Sequence, residues 1–321
     1  MIDAEQQARF KQQGEMLANR VKKRFKHLHK RFTRQRIDVF RLYDHDIPEI
    51  RAAVDWYAGH LVVAEYMRQQ SVPEWLPMMG QAVGRALSIT PDKVHLKNRW
   101  AGKQEGQRYQ RLERTEQKLA VRERDLKFYV NLNDYVDTGL FADHRNTRQM
   151  VGEMAAGRDV LNLYCYTGSF SCYAAKGSAR RTISVDRSRT AVEWARANLV
   201  LNGLSEETNT LIQSGSLSYL SQAQAANISF DLAVVDPPSY STDREGRRDF
   251  DIARDHPVLL AAVIKVLRPG ATLFFSTNHQ NFTFRTADLP PIRVEEITPR
   301  TIPEDYRQKN KTIHRCWRID L

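Results

Sequence analysis

The first part of the chain carries apolar residues with a helical period. Between residues 4 and 34 they recur at spacings of three, four or seven, which places them on one face of a helix. These residues are Phe10, Leu17, Val21, Phe25, Leu28 and Phe32. Lys and Arg crowd the opposite faces. We therefore predict a basic amphipathic helix over residues 1–35 that packs by its apolar face and presents its basic surface to a partner.

The next hundred residues contain short, roughly alternating runs of β-forming residues, which are typical of half-buried strands. They predict a hairpin over 36–48 and 53–67, a helix over 73–88, strands over 92–100 and 127–136, and a loop or exposed basic helix over 101–124. We interpret residues 36–140 as a small α+β domain with a mixed or antiparallel sheet that recognises the substrate or an RNA.

From residue 158 onward strands and helices alternate. The predicted strands are 159–163, 181–185, 210–213, 230–235 and 271–276, and the helices between them are 168–176, 188–202, 216–225 and 254–267. Two further strands, 292–298 and 313–321, form a closing antiparallel pair. Repeated βα units imply a mostly parallel sheet with helices on both faces and a ligand at the carboxyl ends of its strands. We predict that this α/β domain covers residues 141–321.

Charge changes this picture, because it is distributed unevenly. The 321 residues hold 49 Lys and Arg against 38 Asp and Glu, a net charge of +11. Residues 1–127 account for +10 of this excess, and residues 1–36 alone carry +8. Such a concentration favours contact with a nucleic acid. The candidate backbone contacts are Lys22, Lys23, Arg24, Arg31, Arg34 and Arg99, with Lys103, Arg108 and Arg111 as further candidates.

Composition excludes several classes of protein. No apolar run approaches the roughly 18 residues that a membrane span needs. The amino terminus lacks the apolar core of a signal peptide, so we expect a cytoplasmic protein without a membrane partner. The three cysteines, Cys165, Cys172 and Cys316, form neither an even set nor a CxxC pair. Neither disulfides nor a metal site is expected.

Candidate chemistry follows three neighbouring strands. The first strand leads into a turn that ends at Gly168, the second ends in Asp186, and the fourth ends in Asp236-Pro-Pro-Ser-Tyr240. An acidic residue at the second strand end suits a grip on ribose hydroxyls. A dinucleotide would need three glycines for its pyrophosphate, and this turn offers only Gly168. S-adenosylmethionine (SAM) lacks a pyrophosphate and therefore fits better.

The Asp-Pro-Pro sequence has a physical use at a strand end. Pro237 and Pro238 stiffen the loop and remove two amide donors, which leaves carbonyls and the Asp236 carboxylate facing the methyl donor. Tyr240 can stack on a planar base. We therefore predict that Asp236, Pro237, Pro238 and Tyr240 form the catalytic rim.

In these motifs the chain resembles class I SAM-dependent rRNA methyltransferases, and more closely the RlmK family, the guanine-N7 methylating half of the fused RlmKL enzymes. The matching residues are Val136–Arg145, Leu161–Gly168, Val185-Asp186, Asp236–Ser241 and Ile313–Trp317. The resemblance implies a Rossmann-like SAM domain preceded by a small α+β domain, SAM as the cofactor with S-adenosylhomocysteine (SAH) as its product, and 23S rRNA or a large-subunit precursor as the substrate.

The resemblance also implies the cofactor-binding residues. Asp186 is expected to hold the ribose, Arg145 the carboxylate of SAM, and Asp236 the edge of the methyl group. The full expected set is Arg145, Asn162, Tyr164, Tyr166, Thr167, Gly168, Asp186, Ser188, Ser216 and Asp236. Relatives usually carry a carboxylate after the third strand for the adenine amino group. Here Gln213-Ser-Gly-Ser216 has none, so Ser216 or a backbone carbonyl is expected to replace it.

The residues leave the methylated atom open. C5 of cytosine needs a cysteine nucleophile, and neither Phe275-Ser-Thr-Asn278 nor the Asp-Pro-Pro motif supplies one. Exocyclic amine methylation, such as N2 of guanine, uses an aromatic residue directly after Pro-Pro, and Tyr240 stands one place later. Guanine N7 has a lone pair and no proton, so orientation suffices. The resemblance favours N7.

Two other classes of function compete with the rRNA methyltransferase. A non-catalytic RNA-binding or assembly factor with a SAM fold would explain the altered Gln213–Ser216 stretch. A small-molecule methyltransferase would not need the basic helix. The fused relatives carry an amino-terminal half with an RNA-binding module, so we expect this chain to use its own helix or a separate helper protein to find its RNA.

Overall fold

A computed structural model describes residues 3–100, 113–242, 248–285, 289, 292–308 and 312–321. The candidate contacts Lys103, Arg108 and Arg111 lie outside these residues. The chain divides into two units, Met1–Thr138 and Gly139–Leu321. Among the described helices, none is both long and apolar enough to cross a membrane.

The first unit combines two helices with a four-stranded sheet and a separate two-stranded ribbon. Its elements are α1 (Ala4–Arg34), β1 (Val39–Asp44), β2 (Ala52–Tyr57), β3 (His60–Met67), α2 (Trp75–Ala86), β4 (Val94–Trp100), β5 (Leu119–Glu123) and β6 (Leu126–Val130). The sheet has the order β1-β2-β3-β4. Its first three strands are antiparallel, and β4 is parallel to β3, so the sheet is mixed.

Helix α1 packs on this sheet by the predicted apolar face. Leu17, Val21 and Leu28 are almost fully buried and belong to the same core as Phe40 and Val54 of the sheet. The Asp3 side chain caps the helix by accepting from the amide of Gln6 at 2.7 Å, which satisfies one of the unpaired N–H groups of the first turn. The predicted docking of the helix by its apolar stripe is confirmed.

The strand boundaries in the first unit differ from the prediction in three places. Residues 53–67 are not one strand but the hairpin β2–β3, which turns at Ala58-Gly59 where both residues have positive φ. Strand β6 ends at Val130, before the predicted 136. Strand β5 lies inside the segment that we expected to be a loop or helix, and its buried residues are Val121 and Glu123.

The second unit contains the predicted βα alternation. Its elements are α3 (Arg145–Met154), β7 (Asp159–Leu163), α4 (Ser169–Lys176), β8 (Arg181–Asp186), α5 (Arg189–Leu201), β9 (Asn209–Gln213), α6 (Ser216–Ala225), β10 (Phe230–Val235), β11 (Tyr240–Thr242), β12 (Arg248–Asp251), α7 (Ile252–Ile264), β13 (Leu267–Thr277), β14 (Arg293–Glu296), α8 (Thr298–Thr301) and β15 (Arg315–Asp320). The seven-stranded sheet has the order β14-β15-β13-β10-β7-β8-β9. Strands β13, β10, β7, β8 and β9 are parallel to one another. Strand β15 is antiparallel to β13, and β14 is antiparallel to β15. This arrangement confirms the predicted Rossmann-like fold.

The central strands are buried on both faces. In β7, Leu161 contributes to the core beneath α6 and α7, and Val160 contributes to the core beneath α3 and α4. The same alternation holds for Ala233 and Val234 of β10. Strands with apolar residues on both faces need helices on both sides, which is why the sequence reads as continuous apolar runs.

Helix α7 and strand β13 do not meet at the predicted Pro269-Gly270 stop. The helix already ends at Ile264, and β13 begins at Leu267. The register of β13 against β10 shifts between Phe230 and Leu232, so the Pro-Gly pair lies in an irregularity inside the strand. Gly270 has a φ of +79°, a conformation that suits glycine, and its amide donates to the carbonyl of Leu321.

Candidate functional site

The turn between β7 and α4 is unusually strained. Tyr164, Tyr166 and Gly168 have φ values of +56°, +49° and +74°. For tyrosine this left-handed conformation costs about 1 kcal/mol or more per residue and recurs at functional sites. The hydroxyl of Thr167 donates to the carbonyl of Gly139 at 2.7 Å and pins the turn from below. The predicted cofactor turn is thus a fixed loop at the carboxyl end of the central strand.

The Asp186 carboxylate, at the end of the neighbouring strand β8, fixes this turn from the other side. Its Oδ2 accepts from the amide of Tyr166 at 2.9 Å, and its Oδ1 accepts from the amide of Ser188 at 2.8 Å. Burial raises the pKa of Asp186, and these two amides oppose the shift. Each carboxylate oxygen retains acceptor capacity beyond these bonds. The two carboxylate oxygens can therefore accept hydrogen bonds from the two hydroxyls of a ribose.

Other predicted cofactor residues hold the site together from inside the fold. The Asn162 amide donates to Ser171 at 2.8 Å, and the Ser171 and Ser184 hydroxyls are 2.6 Å apart, all three buried. This chain of polar groups links β7, α4 and β8. Ser188 caps α5 by accepting from the amide of Ala191. Ser216 is buried at the first turn of α6.

Arg145 corrects one expectation. Its guanidinium is 2% exposed and forms an ion pair with the fully buried Asp305 carboxylate, at 3.0 Å between Nη2 and Oδ2. A second bond at 3.3 Å joins Nη1 to Oδ1. A buried carboxylate needs a compensating charge, and Arg145 supplies it. This geometry contradicts the predicted role of Arg145 at the carboxylate of SAM.

The Asp-Pro-Pro segment begins where β10 ends. Asp236 Oδ1 accepts from the hydroxyl of Ser276 at 2.6 Å, which ties the segment to β13. Pro237 is buried and Pro238 is half-buried. The Tyr240 hydroxyl lies 2.9 Å from His279 Nε2, so its ring is oriented from the loop after β13. The carboxyl ends of β7, β8 and β10 thus carry the turn, Asp186 and Asp236 on adjacent parallel strands.

Sequence reasoning missed two histidines beside Asp236. His144 Nε2 is 3.6 Å from Asp236 Oδ2, and the His144 ring stacks on that of His314 with centroids 4.0 Å apart. Asp143 Oδ2 lies 2.8 Å from His314 Nδ1 and 3.8 Å from His144 Nε2. Both histidines stand in motifs that carried the resemblance, which was the available signal. Ligand atoms of Asp143, His144 and His314 lie within 4.8 Å of one another. However, the two rings are parallel to within 12°, an arrangement that does not converge their lone pairs on one ion.

The three cysteines are unsuited to nucleophilic catalysis. Cys165, Cys172 and Cys316 are all buried. Burial raises the pKa of Cys172 to about 12 and raises the pKa of Cys165 and Cys316 far above the range of a reactive thiol. The nearby Asp186 charge adds to the shift at Cys165. A thiolate is the nucleophile in cysteine chemistry, and these environments oppose its formation.

The predicted RNA contacts fall into two groups. Lys22, Lys23 and Arg34 are exposed on α1, whereas Arg24 and Arg31 are half-buried on it. Arg99 is half-buried in β4, where it experiences the negative charge of Asp137. Its role as a phosphate contact stays a prediction.

The fold and the strand-end site together define a class of enzyme. The chain belongs to the family of S-adenosylmethionine-dependent methyltransferases, because the sequence model of that family matches residues 45–288. The crystal structure of SMU.776 complexed with SAH has the same fold, with a TM-score of 0.77 at 20% identity over 97% of this chain and 82% of that one. A SAM-dependent methyltransferase from Streptococcus mutans gives a TM-score of 0.74 at 20% identity, over 95% of this chain and 81% of that one.

Curated relatives narrow the class further and confirm the resemblance to the RlmK family. The ribosomal RNA large subunit methyltransferase K of Neisseria meningitidis serogroup B is 40% identical over 308 residues, which cover 94% of this chain and 86% of that protein. The ribosomal RNA large subunit methyltransferase K/L of Shewanella loihica is 41% identical over 313 residues. That alignment covers 94% of this chain but 43% of the K/L protein, so the chain spans less than half the length of the fused relative.

Proposed function

We propose that this protein transfers a methyl group from SAM to N7 of a guanine in 23S rRNA. The observation that carries the proposal is the position of Asp236, a carboxylate held by Ser276 at the carboxyl end of β10, beside the strand ends that bear the cofactor turn and Asp186. The names of the K and K/L relatives support ribosomal RNA of the large subunit as the substrate.

The environment of Asp236 favours N7 over the other ring positions. Guanine N7 offers a lone pair, and its methylation releases no proton, so the site needs no general base. The base becomes positively charged as the new bond forms. A carboxylate in a fixed orientation stabilises that positive charge and accepts hydrogen bonds from the N1–H and amino group of guanine. Asp236 fits this role because Ser276 holds one of its oxygens.

The buried cysteines argue against C5 of cytosine. That reaction requires a thiolate to add to the pyrimidine ring, and the raised pKa values of Cys165, Cys172 and Cys316 oppose it. Methylation of the guanine N2 amine remains the alternative within this class.

In this proposal the chain's own residues orient the reactants. SAM supplies an electrophilic methyl carbon, and as guanine N7 forms its bond to that carbon the C–S electron pair stays on sulfur, giving SAH. Asp186 holds the ribose hydroxyls, the turn from Tyr164 to Gly168 fixes the cofactor, and Asp236 aligns the base. Since the target lies in structured RNA, it must be presented by local opening or flipping.

The test of the reaction is labelling of 23S rRNA with methyl-tritiated SAM, followed by digestion to nucleosides. The proposal predicts label in 7-methylguanosine, and an Asp236→Asn variant should reduce labelling by about 10²-fold. Label in N2-methylguanosine or 5-methylcytidine would contradict the choice of atom. A calorimetric titration that shows no SAM binding would favour the assembly factor.

RNA docking by α1 is a separate part of the proposal. Lys22 and Lys23 are exposed on the helix, on the surface opposite its buried stripe. Changing both to Glu should weaken RNA binding and reduce the magnitude of the salt slope by about one to two, with SAM affinity unchanged. The matched control changes Lys176 and Lys265, two exposed lysines of the second unit. Equal loss in both variants would contradict docking by α1.

A cytoplasmic location and a helper protein complete the proposal. The K/L relative is more than twice the length of this chain. The match leaves more than half of that relative without a counterpart in this sequence. Stimulation of labelling by a cell extract, lost when the extract is treated with protease, would support such a helper.

A further inference from the structure

The histidine pair beside Asp236 has no role in the function proposed so far. His144 ends the short 3₁₀ turn Ala142–His144, and His314 lies just before β15. Their side chains are 6% and 1% exposed, and their rings stack almost in parallel. Imidazoles are rarely placed face to face in a protein interior without hydrogen bonds that fix them, so their proton positions can be derived from their partners.

The orientation of His314 follows from its two hydrogen bonds. The Thr301 hydroxyl donates its single proton to the carbonyl of Thr298 at 2.9 Å. His314 Nε2 lies 3.0 Å from Thr301 Oγ1. His314 Nδ1 lies 2.8 Å from Asp143 Oδ2. Both nitrogens of His314 are thus engaged, which fixes the ring on which His144 stacks.

His144 is engaged on one side only. In the described part of the chain, its buried Nδ1 has no hydrogen-bond partner. Its Nε2 faces two carboxylate oxygens, Asp236 Oδ2 at 3.6 Å and Asp143 Oδ2 at 3.8 Å. A neutral imidazole has one N–H, and Nε2 is the nitrogen that faces carboxylate oxygens, whose charge favours the Nε2-protonated tautomer. Burial, followed by the charge of His314, lowers the pKa of His144, which keeps the ring neutral near pH 7.

We propose that His144 is a positioning residue for Asp236. The proposal rests on the proposed function, in which Asp236 is the group that faces the target base. Ser276 holds Oδ1 by its hydroxyl, and His144 Nε2 faces Oδ2 at 3.6 Å, where an N–H dipole favours that orientation of the carboxylate over longer than hydrogen-bond distance. The carboxylate is thereby held in one orientation, and the stacked His314 ring keeps the His144 ring in its plane.

The first test separates a donor from a merely structural ring. His144→Phe retains an aromatic ring against His314 but has no N–H, and His144→Gln retains an amide donor near the position of Nε2. We expect His144→Phe to lower kcat for RNA methylation about tenfold, with KM for RNA and Kd for SAM within twofold. His144→Gln should recover most of that loss. Equal activity of His144→Phe and the wild type would overturn the proposal.

The second test asks whether His144 acts through Asp236. In an Asp236→Asn background, His144→Phe should cause no further loss of kcat, because the carboxylate that it orients is gone. An additive tenfold loss would overturn the proposal.

The third test needs no activity and so remains informative if the reaction proposed above is wrong. In ¹⁵N-histidine NMR of the wild-type protein, His144 should show the Nε2-protonated tautomer, and its pKa should fall further in Asp236→Asn, since the Asp236 charge raises it. The charged or titratable groups that act on His144 are Asp143, Arg148, Asp236 and His314. An Nδ1-protonated tautomer, or a pKa that Asp236→Asn leaves unchanged, would overturn the proposal. Failure of the wild type to methylate guanosine would instead count against the proposed function.

Discussion

Gly168→Ala perturbs the cofactor turn in a way that the structure makes quantitative. Gly168 has a φ of +74° and precedes α4 as its N-cap. A Cβ at this position would lie 2.8 Å from the Cβ of Ala195 and 3.3 Å from its Cα. Normal carbon contacts are about 3.5–4.0 Å. Because Ala195 is fully buried in α5, the neighbour has little room to move.

The expected cost has two parts. An alanine in the left-handed region costs about 1–2 kcal/mol, and overpacking against a buried neighbour costs about 1–3 kcal/mol. Gly203→Ala is the matched control, since Gly203 has a φ of +65° but no atom within 4 Å of the added Cβ. It should show only the first part. The difference between the two variants therefore isolates the contact with Ala195.

Urea unfolding and calorimetric titration with SAM measure these effects. Gly168→Ala should lose about 2–5 kcal/mol of unfolding free energy and bind SAM about tenfold or more weakly. Gly203→Ala should lose about 1–2 kcal/mol and keep its SAM affinity. Adding Ala195→Gly to the Gly168→Ala variant removes the clashing methyl group and should reduce its excess over the control. Equal destabilisation by both glycine substitutions, with SAM binding intact, would refute the reasoning.

Three further predictions follow from buried charges. The SAM affinity of the wild type should fall as pH falls through the raised pKa of Asp186. Asp186→Asn should weaken SAM binding and remove this pH dependence, and titration with SAM at several pH values measures both. Arg145→Met should lower the unfolding free energy by about 3–5 kcal/mol, because it leaves the buried Asp305 carboxylate without a compensating charge. Adding Asp305→Leu should restore most of that free energy. A normal stability with weaker SAM binding would contradict the ion-pair role. Burial raises the pKa of Asp44, but Arg41 and His45 together outweigh it and lower the pKa to about 2 from 3.8. This carboxylate therefore contributes about 2 kcal/mol above pH 3.8, which is lost as pH falls through 2, and unfolding of Asp44→Asn should lack that acid-dependent part.

The architecture of the second unit was predictable because local pattern and tertiary environment agree there. Strands β7 and β10 are apolar on both faces, as the parallel sheet requires, and turn signals separate them from their helices. The ribbon β11–β12 was missed because its strands are short and mostly polar, and β5 was missed because it is short and lies in a highly charged segment. Their pairing depends on neighbours rather than on an apolar face.

Some residues of the candidate site could be identified from local sequence, and others are brought together only by the fold. Asp186 and Asp236 could be identified from sequence because each directly follows a buried strand, and parallel strands end at the same edge. The partner of Arg145 lies 160 residues away along the chain, so no local pattern shows that its charge is already used. The contact between His144 and His314 likewise joins segments that only the fold brings together.

The most direct test of the central claim is mass spectrometry of nucleosides from 23S rRNA in a strain that lacks this protein. We expect this strain to lose one 7-methylguanosine. Expression of the wild-type protein should restore it, and expression of the Asp236→Asn variant should not. Unchanged 7-methylguanosine, or loss of N2-methylguanosine or 5-methylcytidine in its place, would contradict the central claim.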